Sequence, residues 1–439
     1  MASSAPESFV QRFRAAAQYI HAFRGRTFVI AFGGEVVADG KFAALTHDLN
    51  LLASLGVRLA LAHGARPQIE HELAARGLQS RYVDGVRVTD EQTLSCVKQA
   101  SGRLRVEIEA QLSTGLANSP MAGSRIRVAS GNFVVARPRG VVHGVDMLYA
   151  GEVRKIDAEA VRRRLDDEEL VLLSPLGYSP TGEIFNLTVE DVAAQTAISL
   201  GADKLIFLTD EAGLPGRGGE LLRELTVSEA EALLRDRQRL PDGVKPYLPF
   251  AIHACRGGTP RVHLVSRHVD GALLLELFTH EGVGSMVTQD PLERLREATI
   301  EDVGGILQLI EPLEADGTLV KRSRELLEIE IERFTVLEHD RMIVGCAALY
   351  PFPEEQTGEL ACLAVHPDYR NARAGERLLQ AIETRAKEAK LRRVFVLTTR
   401  ASHWFIEHGF SEAPLAALPA RKQALYNYQR RSKVFAKSV

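Results

Sequence analysis

Between Phe28 and about Val287, short apolar runs rich in β-branched residues recur, among them FVIAF, VRLALA, RIRVAS, ELVLLS, DKLIFLT and RVHLVS. Helical stretches separate them, including Phe42 to Leu55, a segment opening at Pro67, and EDVAAQTAISL. Continuously apolar strands belong in a sheet covered on both faces, and alternation with helices makes such a sheet mainly parallel. The sequence therefore predicts an α/β sandwich over this stretch. An amphipathic helix at residues 9–24 precedes it, with Val10, Phe13, Ala17, Ile20 and Phe23 spaced three or four apart.

A chain of 439 residues exceeds what one core usually supports. The character changes near Pro291, where a charged run precedes a new start at Leu295. Residues 1–286 read as one domain, 287–293 as a linker and 294–439 as a second domain. The second has helices at Glu301 to Ile310, Ser323 to Arg333, Gly375 to Lys390 and Trp404. Its strands fall near Thr335 to Leu337, Met342 to Tyr350, Glu359 to Val365, VFVLT and the terminal YQRRSKVF, an α+β arrangement around a mixed sheet.

With 45% hydrophobic and 25% charged residues the chain reads as globular, and a net charge of −3 gives no reason to expect nucleic acid or an anionic membrane as partner. Glu7, Arg12 and Arg14 interrupt the first apolar stretch, and no run approaches the roughly 20 apolar residues of a membrane span. Cys96, Cys255, Cys346 and Cys362 are scattered without a C-x-x-C pair. The expectation is a cytoplasmic protein with reduced thiols and no metal.

Two stretches carry the chemistry. In FVIAFGGEVV a buried strand ends at Gly33-Gly34, where backbone can approach a phosphate, yet only Ala31 and Phe32 precede the glycines and no cation does. In ELACLAVHPDYRNARAGERLLQAIETRA a strand ends at His366-Pro367, and a loop with Arg370, Arg373 and Gly375 opens a helix with the apolar face Leu378, Leu379, Ile382 and Ala386. Unpaired N–H groups at a helix start, beside arginines and glycine, suit a pyrophosphate; an ordinary polar loop is the other reading.

This second stretch resembles the GCN5-related N-acetyltransferase superfamily. Arg370 and Gly375 take the first and last places of its [Q/R]-x-x-G-x-[G/A] motif, Arg373 replaces its first glycine, and VFVLT and HWFIEHGF resemble the elements that follow. The resemblance implies acetyl-CoA as co-substrate, held by the main chain of Cys362, Leu363, Ala364 and Val365 and by Arg370, Arg373, Gly375 and Glu376. The chemistry asks for main-chain donors to a developing oxyanion, a base for the attacking amine and a proton for the departing thiolate. Cys362 to Ala364 suit the first, Glu359 the second and Thr398 the third. Strand-end carboxylate and sheet hydroxyl are the plainer readings of the last two. An acetyl-cysteine at Cys362 is disfavoured, because no His or cation stands nearby in sequence to lower its pKa.

Two basic clusters, Lys321, Arg322 and Arg324, and Arg430 and Arg431 with Ser432, suit a dicarboxylate; solvated surface charge is the alternative. RSRE, ACLAV, HPDYRN, GERLL and the terminal R-x-S resemble the bacterial N-acetylglutamate synthase family over nearly the whole chain. That resemblance implies direct acetylation of L-glutamate, with Arg322, Arg430 and Ser432 holding its carboxylates. The reaction would open arginine biosynthesis.

The first domain resembles amino-acid kinases through AFGGEVV, LAHGARPQI, GVRVTD and ADKLIFLTD. It lacks their lysine before the paired glycines, and Gly64-Ala65-Arg66 replaces three glycines, with Arg66 expected to fill phosphate space; Lys204 remains. The segment LLLELFTHEGVGSMV and the N-terminal helix resemble the arginine-sensing elements of related families. They imply an L-arginine site with Tyr19, Lys204, Glu276, Gly282 and Gly284, Glu276 facing the ligand, and a homo-oligomer, a hexamer by resemblance. A bifunctional synthase-kinase, a non-catalytic arginine sensor and a protein-lysine acetyltransferase are the competing readings.

Overall fold

The computed structural model describes residues 5–236, 240–279, 282–340, 342–370, 373–424, 426–427 and 431–439. It divides into two compact units, Met1–Asp290 and Pro291–Val439.

In the first unit an eight-stranded sheet runs in the order Glu224–Thr226, Ser285–Thr288, Arg261–Ser266, Lys204–Thr209, Thr27–Phe32, Arg58–His63, Leu170–Leu173, Val128–Ser130. Its central strands are parallel, with Phe28 opposite both Lys204 and Leu59; Ser285–Thr288 runs antiparallel to Arg261–Ser266. Alternation along one strand builds two cores. Val29 and Ala31 face a cluster with Val192, Ala197 and Leu248, whereas Phe28, Ile30 and Phe32 face one with Leu49, Ile69 and Leu104. Both faces are covered, so the strand is apolar throughout. The helix Val189–Leu200 starts where the Thr188 side chain accepts the Asp191 N–H and ends at Gly201, whose φ of 63° a left-handed stop requires.

In the second unit a seven-stranded sheet runs Glu293–Glu297, Phe334–His339, Met342–Phe352, Thr357–Val365, Arg393–Thr398, Lys433–Ser438, Ser411–Ala413. Helix Ala374–Glu388 packs on one face through Leu378, Leu379 and Ile382. Val303, Ile306 and Leu327, from helices Val303–Ala315 and Arg324–Glu330, cover the other.

Several boundaries differ from the sequence reading. Strands Ser285–Thr288 and Glu293–Glu297 enter the expected linker from both ends, leaving residues 289–292 between them. The terminal strand begins at Lys433, after the basic cluster, and runs on to Ser438. Residues 323–333 form a short α-helix capped by Ser323 and then a separate 3-10 turn, Ile331–Arg333, because the helix closes before the sheet resumes at Phe334.

Candidate active site

Strand Thr357–Val365 sits between two irregular neighbours. It pairs in parallel with Arg393–Thr398 only at Thr357, Gly358 and Glu359; beyond Glu359 the two strands part. Against Met342–Phe352 its ladder slips: Cys346 faces Ala364 and Ala348 faces Ala361, so Cys362 and Leu363 together oppose Ala347. Cys362 takes a left-handed φ of 54° at this bulge. A bulge leaves one residue outside the ladder and re-aims its neighbours, so the main chain at Cys362 and Leu363 leaves the regular ladder where the strands separate.

A cavity of about 760 Å³ opens there, lined by Leu360 to Val365, by Val396 to Thr398 and by the helix start carrying Arg370, Arg373, Gly375 and Glu376. Arg373 caps helix Ala374–Glu388 with φ 55°, the left-handed geometry that glycine adopts without steric cost. Its departure from the motif therefore keeps the turn, at a cost of about 1 kcal/mol. Gly375 has a different reason: a Cβ there would stand 3.2 Å from the Trp404 ring, which packs over the helix start.

The other side of the cavity is cationic. Arg322, Lys422, Tyr426, Asn427 and Ser432 line it with Glu359. Glu359 is only 7% exposed, and its Oε2 lies 2.6 Å from the Lys422 ammonium; the plain reading of a solvated strand-end carboxylate fails. Of the first basic cluster Arg322 alone lines the cavity, while Arg324 pairs with Glu328 along its helix. Arg430 lies outside the described residues. Thr398 is buried at the cavity wall, where its hydroxyl oxygen accepts the N–H groups of Arg400 and Ala401.

The surroundings of Cys362 correct one expectation. A hydrogen bond with Cys346 draws its thiol below the ordinary value against the effect of burial, and the Arg322 charge acts in the same direction. Arg322 lies 40 positions away in sequence, so local spacing could not reveal this cation. Lys422, Tyr426, Asn427 and the ring of Trp404 were also missed as lining residues; a basic residue on the short helix Ala420–Ala424, just before the Ser432 cluster, was the available signal for Lys422.

The first unit separates two groups that the sequence reading had joined. At the carboxyl ends of the parallel strands the glycine loops meet, Gly64 N–H donating to Phe32 O at 2.7 Å. A Cβ on Gly33 would overlap the Glu35 carboxylate, and one on Gly34 would overlap the Gln68 amide. Arg66 instead reaches Tyr82, its Nε 3.3 Å from the phenol oxygen and its guanidinium over the ring. Glu35 and Gln68 thus crowd the paired glycines, and Arg66, expected to fill phosphate space, contacts Tyr82 and lies in the field of Glu35.

Lys204 stands at the amino end of its strand, opposite Phe28. That is about 15 Å from the glycine loops at roughly 3.3 Å per residue, too far for a phosphate contact. Its ammonium lies 3.4 Å from His263 Nε2 and over the rings of Phe23 and Phe28. His263 Nδ1 lies 2.7 Å from Glu276 Oε1, while Glu276 Oε2 accepts the N–H groups of Val283 and Gly284 at 2.8 Å each. An acceptor-only carboxylate fixes the proton on Nδ1. Burial, with Lys204 adding, pushes His263 down to about 4, and against burial the His263 hydrogen bond holds Glu276 at about 2. The expected arginine residues thus do gather: Tyr19 packs on Phe23, and Phe23 on Phe278. The Glu276 carboxylate, however, is already engaged by internal partners. Gly284 is required because a Cβ would overlap the Leu264 carbonyl, and Gly282 has φ 59°.

Among the described residues no group of three or more His, Cys, Asp or Glu is placed to hold a metal ion, and no helix is long and apolar enough to cross a membrane.

Comparisons with known proteins agree with this architecture. Residues 26–266 match the Amino acid kinase family and residues 305–410 the Acetyltransferase (GNAT) family. The amino-acid acetyltransferase of Ralstonia nicotianae is 54% identical over 99% of this chain and 96% of its own length. That of Azotobacter vinelandii is 55% identical over 98% of this chain and 99% of its own length. The crystal structure of N-acetylglutamate synthase from Neisseria gonorrhoeae complexed with coenzyme A and L-arginine, 39% identical, superposes with a TM-score of 0.89 over 98% of this chain and 99% of that one. The same enzyme with coenzyme A and N-acetyl-glutamate gives 0.63 over the same shares. An amino-acid-kinase-like sandwich followed by a GNAT domain, with a cavity at a bulged and splayed strand pair, is the architecture of an N-acetyltransferase, and the chain belongs to the amino-acid acetyltransferase family.

Proposed function

We propose that the chain transfers the acetyl group of acetyl-CoA to the α-amino group of L-glutamate by direct attack, and that L-arginine inhibits it through the first domain. One observation carries the first part: a cavity with the bulged main chain at its centre, a helix start at one side and Arg322, Lys422 and Ser432 at the other. The helix start suits a pyrophosphate, and the cations suit two carboxylates. The relative solved with coenzyme A and N-acetyl-glutamate supports both assignments.

In this reading Glu359 takes the proton of the incoming ammonium, directly or through water, on the carboxylate whose Oε2 Lys422 fixes. The free amine attacks the thioester carbonyl. N–H groups of Cys362, Leu363 and Ala364 receive the negative charge that develops on its oxygen. The tetrahedral adduct then collapses, and Thr398, whose oxygen already accepts two main-chain N–H groups, offers its own proton to the departing sulfur. Cys362 contributes its backbone, which forms the bulge, while its side chain packs with Cys346, Ala348 and Ala364 at the edge of the cavity.

The arginine proposal rests on the cluster of Tyr19, Lys204, Glu276, Gly282 and Gly284 and on the relative solved with L-arginine. A guanidinium or amine there would share or displace the His263 contact of Glu276. Assembly into a homo-oligomer, a hexamer by resemblance, and a cytoplasmic location belong to the same proposal.

Thiol release from acetyl-CoA, measured with each of the twenty amino acids as acceptor and with or without L-arginine, tests it. Release should require L-glutamate and fall when arginine is present. Equal release with several unrelated acceptors would overturn the substrate assignment.

A further inference from the structure

The bulge does more than take main chain out of the ladder. In an unbroken ladder Cys362 would alternate away from the face that carries Cys346; the extra residue turns it onto that face, where Cys346, Ala348, Cys362 and Ala364 share one apolar cluster. The Cys346 thiol donates to the Cys362 carbonyl oxygen at 3.5 Å and lies beside its thiol. The two differ in access. Cys362 lines the acetyl-transfer cavity, whereas Cys346 is fully buried behind it.

We propose that Cys362 and Cys346 form an oxidation site, at which a peroxide entering the cavity converts the pair to an intrachain disulfide and stops acetyl transfer. Cys362 is the sulfur that reacts first, since of the two it is the one that borders the cavity; the Arg322 charge acts on both. Its thiolate attacks the peroxide; an S–O bond forms, the O–O bond breaks, and hydroxide leaves and is protonated to water. Cys346 then attacks the sulfenic sulfur. The S–S bond forms, the S–O bond breaks, and a second water leaves with the Cys346 proton. Overall two thiols are oxidised by two electrons and hydrogen peroxide is reduced to two waters.

The consequence for catalysis follows from position. A bond between the two side chains pulls on Cys362, whose φ of 54° sets where the neighbouring N–H groups point. Displaced oxyanion donors cost about 100-fold in turnover. This consequence rests on the reading of the bulge as the donor site, whereas formation of the disulfide does not.

The test treats the full-length reduced protein with hydrogen peroxide and maps peptides without reduction. The expected result is a Cys346–Cys362 linked peptide, a parallel loss of activity, recovery with dithiothreitol, and slower linkage when acetyl-CoA fills the cavity. Cys346→Ala should keep its basal activity and lose the dithiothreitol-reversible inactivation. Absence of the linked peptide in the unsubstituted protein, whether or not activity falls, overturns the proposal, and that arm does not depend on the variant folding. A linked peptide formed without loss of activity would leave the oxidation site standing and refute the donor role of the bulge. Reversible inactivation of equal size in a folded Cys346→Ala protein would also overturn the pairing.

Discussion

Arg322 reaches the cavity in spite of its neighbours. Glu314 accepts its main-chain N–H at 2.9 Å and Val320 O accepts its Nη1 at 3.1 Å, which bends the segment so that the guanidinium turns toward Cys362, Tyr350 and Glu359. In the proposed reading its partner is a carboxylate of the acceptor, and a hydrogen bond to a charged group is worth about 1.5–3 kcal/mol. Arg322→Ala should therefore raise the KM for glutamate by about 10- to 100-fold while leaving that for acetyl-CoA within twofold, roughly the scatter of such measurements. Steady-state kinetics with each substrate varied in turn will tell; a matched rise in both KM values contradicts the assignment. Cys362 tests the chemistry in the opposite sense. If its backbone acts and its sulfur does not, Cys362→Ala retains turnover within about tenfold of the parent. Complete loss in a folded variant that still binds acetyl-CoA would revive the acetyl-cysteine route, which the nearby Arg322 charge makes chemically reasonable.

Among the elements, helix Ala374–Glu388 depends on contact at its first turn. Gly375 admits Trp404, and Trp404 in turn stacks on His408 with ring centroids 4.1 Å apart. Gly375→Val would push the indole and the helix start apart and misplace the N–H groups that face the cavity. The expected result is a raised KM for acetyl-CoA with that for glutamate spared, measured by thiol release; unchanged acetyl-CoA affinity would remove this helix start from the cofactor site. Elements of this kind were legible in the sequence because period-2 and period-3.6 patterns survive folding: Val29 and Ala31 against Phe28 and Ile30, or Leu378 and Leu379 against their charged neighbours. The slip at Cys362 was not legible, since a one-residue bulge leaves the apolar pattern of ACLAV intact. Nor was Glu35 folding back over Gly33, a rotamer choice that no spacing encodes. Lys204 was misplaced for a third reason, because a residue's end of a strand decides which loops it can reach, and its family match alone does not say so.

Over the whole molecule the two departures from kinase chemistry have opposite consequences for what is kept. The Glu35 carboxylate folds over Gly33 and no lysine precedes the paired glycines, so ATP-dependent phosphorylation of N-acetylglutamate should be absent; detectable phosphoryl transfer would restore the bifunctional reading. At the other end of the same strands the Lys204, His263 and Glu276 chain remains buried, and its ionisation is linked to stability. His263 is held at about 4 against 6.5 when exposed, so the unfolded chain binds more protons between those values, and this contribution is lost as pH falls from about 6.5 to 4. Glu276, at about 2, loses its contribution below the unfolded value near 4.5. Asp48, pushed up to about 6 by burial and Asp270, and Glu190, pushed up to about 7 by burial, run the other way, stabilising below their unfolded values and losing that contribution as pH rises through the folded ones. The net slope of the parent protein near pH 5 is thus a difference of opposed terms, and the informative quantity is the change on removing one group. His263→Gln cannot titrate, so between pH 6.5 and 4 its stability relative to the parent should improve by at most about 3 kcal/mol, read from denaturant midpoints at matched pH. Parallel midpoint curves for the two proteins would mean that His263 is not held neutral. Glu276→Ala separates this structural duty from sensing. It should abolish inhibition by L-arginine and the arginine-dependent rise in Tm while synthase activity persists, because an effector can shift only an equilibrium between states that it binds unequally; undiminished inhibition in that variant would move the arginine site elsewhere.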